Sequence, residues 1–110
     1  MPDTWYSITD GNWNANSSWS TSSGGSAGAD YPKTGDFVYI ESGDNITLTG
    51  NEVCGYLNLA SGGTLTGGGN KLTIDSINSG SGTNVNNNGT ISGILDVDLT
   101  YSAAASEVDL

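Results

Sequence analysis

The clearest hydrophobic pattern lies over residues 31–50, YPKTGDFVYIESGDNITLTG. Phe37-Val38-Tyr39-Ile40 is a run of four β-formers behind a turn punctuated by Pro32 and Gly35-Asp36. Ser42-Gly43-Asp44-Asn45 marks a second turn. Ile46-Thr47-Leu48-Thr49 then alternates apolar and hydroxyl side chains with a period of two, as in a strand with one face buried. The same grammar recurs in weaker form at residues 56–59, 64–65, 71–74, 90–91 and 94–99. Turn clusters rich in Gly, Ser and Asn separate these runs, at 61–63, 67–70, 79–82 and 86–89. In the last run Leu95, Val97 and Leu99 share one face, and Asp96 and Asp98 share the other. No helical periodicity appears. The expected core is Val38, Ile40, Ile46, Leu48, Leu57, Leu59, Leu65, Leu72, Ile74, Ile91, Leu95 and Val97.

The runs also repeat. Gly63-Thr64-Leu65 followed by Leu72-Thr73-Ile74 resembles Gly89-Thr90-Ile91 followed by Leu95-Asp96-Val97, with offsets of 26 and 23 residues. Strands of two to four residues are too short to stand as independent hairpins. They are stable when each stacks in parallel on an equivalent strand one coil away. The expected fold is therefore all-β: a short parallel β-solenoid of two to three coils. Glycine serves its corners, asparagine ladders its turns, and no proline follows Pro32. A small antiparallel β-sandwich is the alternative. One domain is expected, with a cap and loop over residues 1–30, a β core over 31–99 and a tail or arm over 100–110.

Residues 1–30 hold all three tryptophans, Trp5, Trp13 and Trp19. Thr4-Trp5-Tyr6-Ser7-Ile8 is the best strand there. Trp13 and Trp19, six residues apart, fall on the same side of an extended chain. They suit a cap whose indoles cover the open end of the β core, or a platform that stacks on sugar rings. Residues 21–29, TSSGGSAGA, read as a flexible loop with nothing to anchor it. The closing run, TYSAAASEVDL, offers Tyr101, Val108 and Leu110 as apolar anchors in a small, acidic tail.

Charge narrows the partners. Twelve carboxylates face only Lys33 and Lys71, a net charge of −10. Nucleic acid and anionic membranes are recognised by basic surfaces, so neither is an expected partner. The start of the sequence has no basic and apolar leader, and no run is long enough for a membrane helix. The three N-x-S/T sequons, beginning at Asn16, Asn45 and Asn88, carry little weight in so Asn-rich a chain.

Catalytic chemistry finds few parts. The chain has no histidine, which removes Ser–His–Asp and Cys–His arrangements and His-containing metal sites. Cys54 is the lone cysteine and reads as a small buried hydrophobe. Gly67-Gly68-Gly69-Asn70-Lys71 lacks the spacing and trailing hydroxyl of a phosphate-binding loop, leaving Lys71 as a solvated turn residue. Asp44 or the Asp96/Asp98 pair could meet calcium, but no calcium-loop pattern surrounds them, and the pair reads better as a guard on an edge strand. Thr47, Thr49, Thr66 and Thr73 are too irregular for an ice-binding lattice. The expectation is a protein without enzymatic activity, cofactor or metal.

Trp13, Trp19, the stretch from Pro32 through Gly35-Asp36, Val38 and Ile40, then Ile46-Thr47-Leu48 and Gly63-Thr64-Leu65 resemble a known arrangement. It is the start of right-handed parallel β-solenoids in bacterial surface proteins and phage particle proteins. There a tryptophan-bearing segment precedes a P-x-x-G-D-x-V-x-I strand and coils with G-T-L corners. The resemblance covers roughly residues 13–97 and implies a structural or binding role with no catalytic residues. Those families run to more coils and carry a secretion signal, and this chain shows neither. The departure favours a non-enzymatic structural protein of a phage or phage-like particle, a capsid-decoration or fibre-type component located in the virion. The alternative is an adhesive or carbohydrate-binding module at the cell surface or outside the cell. Candidate binding residues are Trp13 and Trp19 for sugars, and Tyr101, Val108 and Leu110 for protein contacts. Expected partners are further copies of the chain and a larger particle lattice, because an unpaired terminal rung is a template for pairing.

Overall fold

The structure is a computed structural model that describes residues 3–74, 82–93, 96–99 and 106–109. It is an all-β fold, and its only helical piece among the described residues is a 3-10 turn, Asn16–Ser18. Among the described residues no helix is long and apolar enough to cross a membrane. The strands are β1 (Thr4–Ser7), β2 (Gly11–Asn12), β3 (Trp19–Ser20), β4 (Phe37–Ile40), β5 (Asn45–Thr47), β6 (Glu52–Cys54), β7 (Tyr56–Leu59), β8 (Thr64–Thr66), β9 (Lys71–Ile74), β10 (Gly82–Asn87), β11 (Thr90–Ser92), β12 (Asp96–Leu99) and β13 (Ser106–Asp109).

These strands build three sheets. Sheet A runs β13-β10-β7-β4-β1-β3, sheet B β11-β8-β5-β2 and sheet C β12-β9-β6. From β4 onward the chain visits A, B and C in turn and then starts again, so each strand lies beside its equivalent from the previous circuit. All pairings among the described residues are parallel except β1 with β3, which is antiparallel and makes sheet A mixed. Parallel neighbours need a long crossover between them, and here the other two sheets supply it.

Alternation sets the core. In β4, β7 and β9 every second residue is buried, which directs Val38, Ile40, Leu57, Leu59, Leu72 and Ile74 inward. Register stacks them into columns: Trp5 beside Val38, Val38 beside Leu57, and Leu57 beside Val85. Ile46, Leu48, Leu65 and Cys54 complete the interior from sheets B and C and their flanks. Of the expected core, Ile91 is only half-buried and packs against the cluster. Leu95 and the side chain of Val97 lie outside the described residues.

The 26-residue offset appears as Thr90 beside Thr64. The 23-residue offset is corrected: Val97 lies beside Leu72 and Leu99 beside Ile74, an offset of 25. Slipping by two keeps the same residues on the same face, because side chains alternate with period two. Within residues 31–99 two strands were not expected. β6 is a three-residue run that carries Cys54 inward, and β10 is almost wholly polar with Val85 as its buried residue. Lys71 opens β9 as a half-buried strand residue and is not in a turn.

The ends also depart from expectation. Residues 1–30 do more than cover the core, because β1 and β2 pair in parallel with β4 and β5 as a first circuit. Residues 21–29 are anchored: the Gly28 N–H donates to the Trp19 carbonyl at 2.9 Å, and the Asn16 side chain donates to the Ala29 carbonyl at 3.0 Å. Within the tail, Ser106–Asp109 adds to the edge of sheet A beside β10.

Candidate functional site

The three tryptophans form the first layer of the core. Trp13 and Trp19 are each 0% exposed, and their rings meet edge to face with centroids 5.5 Å apart. Each buried indole N–H has an acceptor. Trp19 donates to the Trp13 carbonyl at 2.7 Å, Trp13 to the Pro32 carbonyl at 3.3 Å, and Trp5 to the Asp36 carboxylate at 3.0 Å. β3 lies antiparallel across the outer edge of β1. The three indoles therefore lie inside the core, next to the strand that ends sheet A. A sugar-stacking platform needs an exposed ring face, and neither Trp13 nor Trp19 presents one. Assigning sugar binding to these two residues is therefore corrected.

Asp36 ties this layer to the next circuits. Its Oδ1 accepts from the Asp3 N–H at 3.0 Å, and its Oδ2 accepts from Trp5 Nε1 at 3.0 Å and the Lys33 N–H at 2.9 Å. Its carbonyl accepts from the N–H groups of Gly55 at 2.7 Å and Tyr56 at 3.1 Å. The turn that aims this carboxylate inward closes with the Asp36 N–H on the Lys33 carbonyl, and Gly35 sits at φ 81°, as the third position of a type II turn demands. The Gly-Asp pair of the sequence pattern is thus a structural joint. On the rim of that turn Asp30 pairs with Lys33, whose ammonium lies 4.5 Å from the centre of the Tyr31 ring. The ion pair holds the Asp30 carboxyl below its ordinary range and Lys33 above its own.

The outer face of sheet A carries a second aromatic cluster, which the sequence reading did not single out. While Trp5, Val38 and Leu57 turn inward, Tyr6, Phe37, Tyr39 and Tyr56 turn outward and are half-buried. Register sets Tyr6 beside Tyr39 and Phe37 beside Tyr56. Tyr6 and Tyr39 stack at 5.1 Å, Phe37 meets Tyr56 edge to face at 5.9 Å, and Tyr39 and Tyr56 are tilted at 5.7 Å. Phe37, Tyr39 and Tyr56 line a shallow hollow of about 190 Å³. Asn58 beside it donates to the Tyr56 hydroxyl at 3.1 Å, and Asn86 lies next to Asn58 in register. Burial, with the hydroxyls of Tyr56 and Tyr6 nearby, raises the Tyr39 phenol above its ordinary range. The signal was present, since all four aromatics alternate with core residues in their strands. Bringing them together required the nineteen-residue register between β4 and β7.

Elsewhere polar groups serve one another. Ser7 Oγ donates to Asp44 at 2.7 Å and accepts from the Glu41 N–H at 2.8 Å, at the floor of an open depression of about 310 Å³. Among the described residues no three His, Cys, Asp or Glu side chains gather as metal ligands. On sheet B, Thr47 lies beside Thr66, whose hydroxyl donates to Asn45 at 2.9 Å. Thr73 belongs to sheet C and Thr49 to no strand. Asp96 and Asp98 lie on β12, an edge strand of sheet C, with their side chains outside the described residues. Val108 lies on β13, with its backbone position opposite Val85 and its side chain outside the described residues, while Tyr101 and Leu110 are outside them altogether. Comparison with family models, curated proteins and solved structures finds no match to this chain.

Proposed function

We propose that the chain is a short parallel β-solenoid that acts as a non-enzymatic structural protein of a phage or phage-like particle. Its place would be the virion, as a capsid-decoration or fibre-type component. The observation that carries the reading is the contrast between the two edges of sheet A, since among the described residues sheets B and C finish on the edge strands β2 and β6 at the first end as well. At one end β3 and the tryptophans close sheet A. At the other, sheets A, B and C finish on β13, β11 and β12, and no strand pairs beyond them among the described residues. An open parallel edge accepts a further strand, and a lattice or a second copy uses such an edge productively.

Light scattering and co-purification with assembled particles test this reading. The full chain is expected to self-associate with rising concentration or to travel with particles, and removal of residues 106–110 is expected to change both behaviours. A chain that stays monomeric, ignores particles and is indifferent to the deletion refutes it. The second reading is a cell-surface or extracellular adhesive or carbohydrate-binding module. The outer aromatic face of sheet A favours it, in place of the buried Trp13 and Trp19.

A further inference from the structure

The geometry points to the outer face of sheet A as the binding surface for a neutral saccharide chain, with one sugar ring seated in the hollow between Phe37, Tyr39 and Tyr56. The inference rests on the second reading above and is independent of any role in a particle.

Three observations carry it. The first is charge. The chain holds −10, yet the outward positions of β1, β4 and β7 are Thr4, Tyr6, Phe37, Tyr39, Tyr56 and Asn58, with no ionisable group other than tyrosine. A strongly acidic protein that keeps these three neighbouring strands free of charged side chains has there a patch matched to an uncharged ligand. The second is the mixture of groups. Aromatic rings offer apolar faces and edges to the C–H surface of a sugar, while the amides of Asn58 and Asn86 both donate and accept hydrogen bonds. These amides flank the rings in register, so ring contact and hydroxyl contact can be made together.

The third is size. Four residues along a strand and four strands across cover about 13 Å by 19 Å, roughly 250 Å². A stable contact between protein copies takes about 800 Å² from each partner, so this face is too small to be a dimer interface by itself. The hollow, at about 190 Å³, is below the range of about 300–1,000 Å³ in which whole small ligands are enclosed. It suits one unit of a longer chain that lies across the rungs, with most of the polymer left in solvent.

The test is affinity gel electrophoresis and calorimetry of the full chain against hydroxyethylcellulose, a soluble β-glucan, mannan and xylan, with polygalacturonate as the anionic comparison. At least one neutral polymer is expected to retard the protein and polygalacturonate is not. Tyr56→Ala and Tyr39→Ala are expected to weaken that binding about tenfold or more, while Tyr56→Phe and the sheet B control Thr66→Ala stay within about threefold. Thermal melts confirm that each variant compared is folded. Should Tyr56→Ala unfold the chain, Asn58→Ala, with its smaller side chain, carries the test.

Failure of every neutral polymer to bind the wild type overturns both this inference and the carbohydrate-binding form of the second reading. Binding that survives all the face variants leaves the second reading standing and overturns this site. Face variants that convert a dimer to a monomer in light scattering assign the face to self-association and also overturn the inference.

Discussion

Replacing Asp36 with alanine should be among the most damaging changes to a single polar side chain. The carboxylate accepts three hydrogen bonds, from the N–H groups of Asp3 and Lys33 and from Trp5 Nε1. Asp3 and Lys33 are exposed, so water can replace the acceptor for their N–H groups at a loss of about 1 kcal/mol each. Trp5 is 4% exposed, and its N–H would be left buried without a partner, at about 1–3 kcal/mol. Relief from desolvating a carboxylate offsets part of this, which leaves a net loss of about 2–4 kcal/mol. That is a large share of the roughly 5–15 kcal/mol a small domain has.

Urea unfolding followed by tryptophan fluorescence reads the effect directly, and the midpoint should fall by about 1–3 M at unchanged slope. Asp36→Asn keeps one acceptor oxygen and should fall between wild type and Asp36→Ala. The decisive measurement is a double-mutant cycle with Trp5→Phe, which removes the N–H that Asp36 satisfies. Asp36→Ala should cost about 1 kcal/mol less in the Trp5→Phe background. Equal costs in both backgrounds, or a midpoint shift under about 0.3 M, would refute the reasoning.

Four further outcomes are expected. Leu57→Ala, between Val38 and Val85 in the inner column, should lose about 2–5 kcal/mol in the same urea assay. Gly89→Ala would place a Cβ 2.1 Å from the Gly63 carbonyl oxygen and should lose about 2 kcal/mol or more, whereas Gly50→Ala, with nothing within 4 Å, should change stability by less than about 1 kcal/mol. Cys54 is buried and its thiol is pushed far above the ordinary range, so a thiol reagent should modify the native protein only as fast as it unfolds and the urea-unfolded chain at once. Glu52 has its carboxyl raised above 4.5 by partial burial. Its folded form therefore favours the proton, and the stability this gives is full below 4.5 and fades as pH rises through the folded value. Thermal melts should accordingly show Glu52→Gln ahead of wild type at pH 7 and level with it at pH 4.

Much of the strand plan was legible. β4, β7 and β9 match their apolar runs to the residue, because each presents two inward apolar positions at i and i+2. β10 shows where that signal fails. Asn, Thr and Gly are poor evidence for a strand, yet parallel neighbours on both sides satisfy its backbone, and one inward valine suffices to fix its face. β6 was hidden for a related reason, since a three-residue run with an acidic first residue has no periodicity to read. Asp36 was visible as a turn residue. Its hold on Trp5 was not, because thirty-one residues separate the two.

The stack also explains why site residues are harder to read here than core residues. Inward positions are set within one strand, by alternation against solvent, and a sequence displays alternation directly. The outer face is set between strands, by a register that varies from circuit to circuit: nineteen residues from Val38 to Leu57, twenty-eight from Leu57 to Val85. A repeat of fixed length would have revealed both. With variable turns the inward columns survive, because any even slip still buries apolar residues, whereas the outward neighbours change with every slip. Phe37 meets Tyr56, and Tyr39 meets Tyr6, only in the register observed. A two-residue shift between β4 and β7 would leave the core apolar while separating Phe37 from Tyr56 and closing the hollow they share. Selection on the core alone would tolerate such a shift, so the turn lengths, more than the strands, determine what the outer face of sheet A can bind.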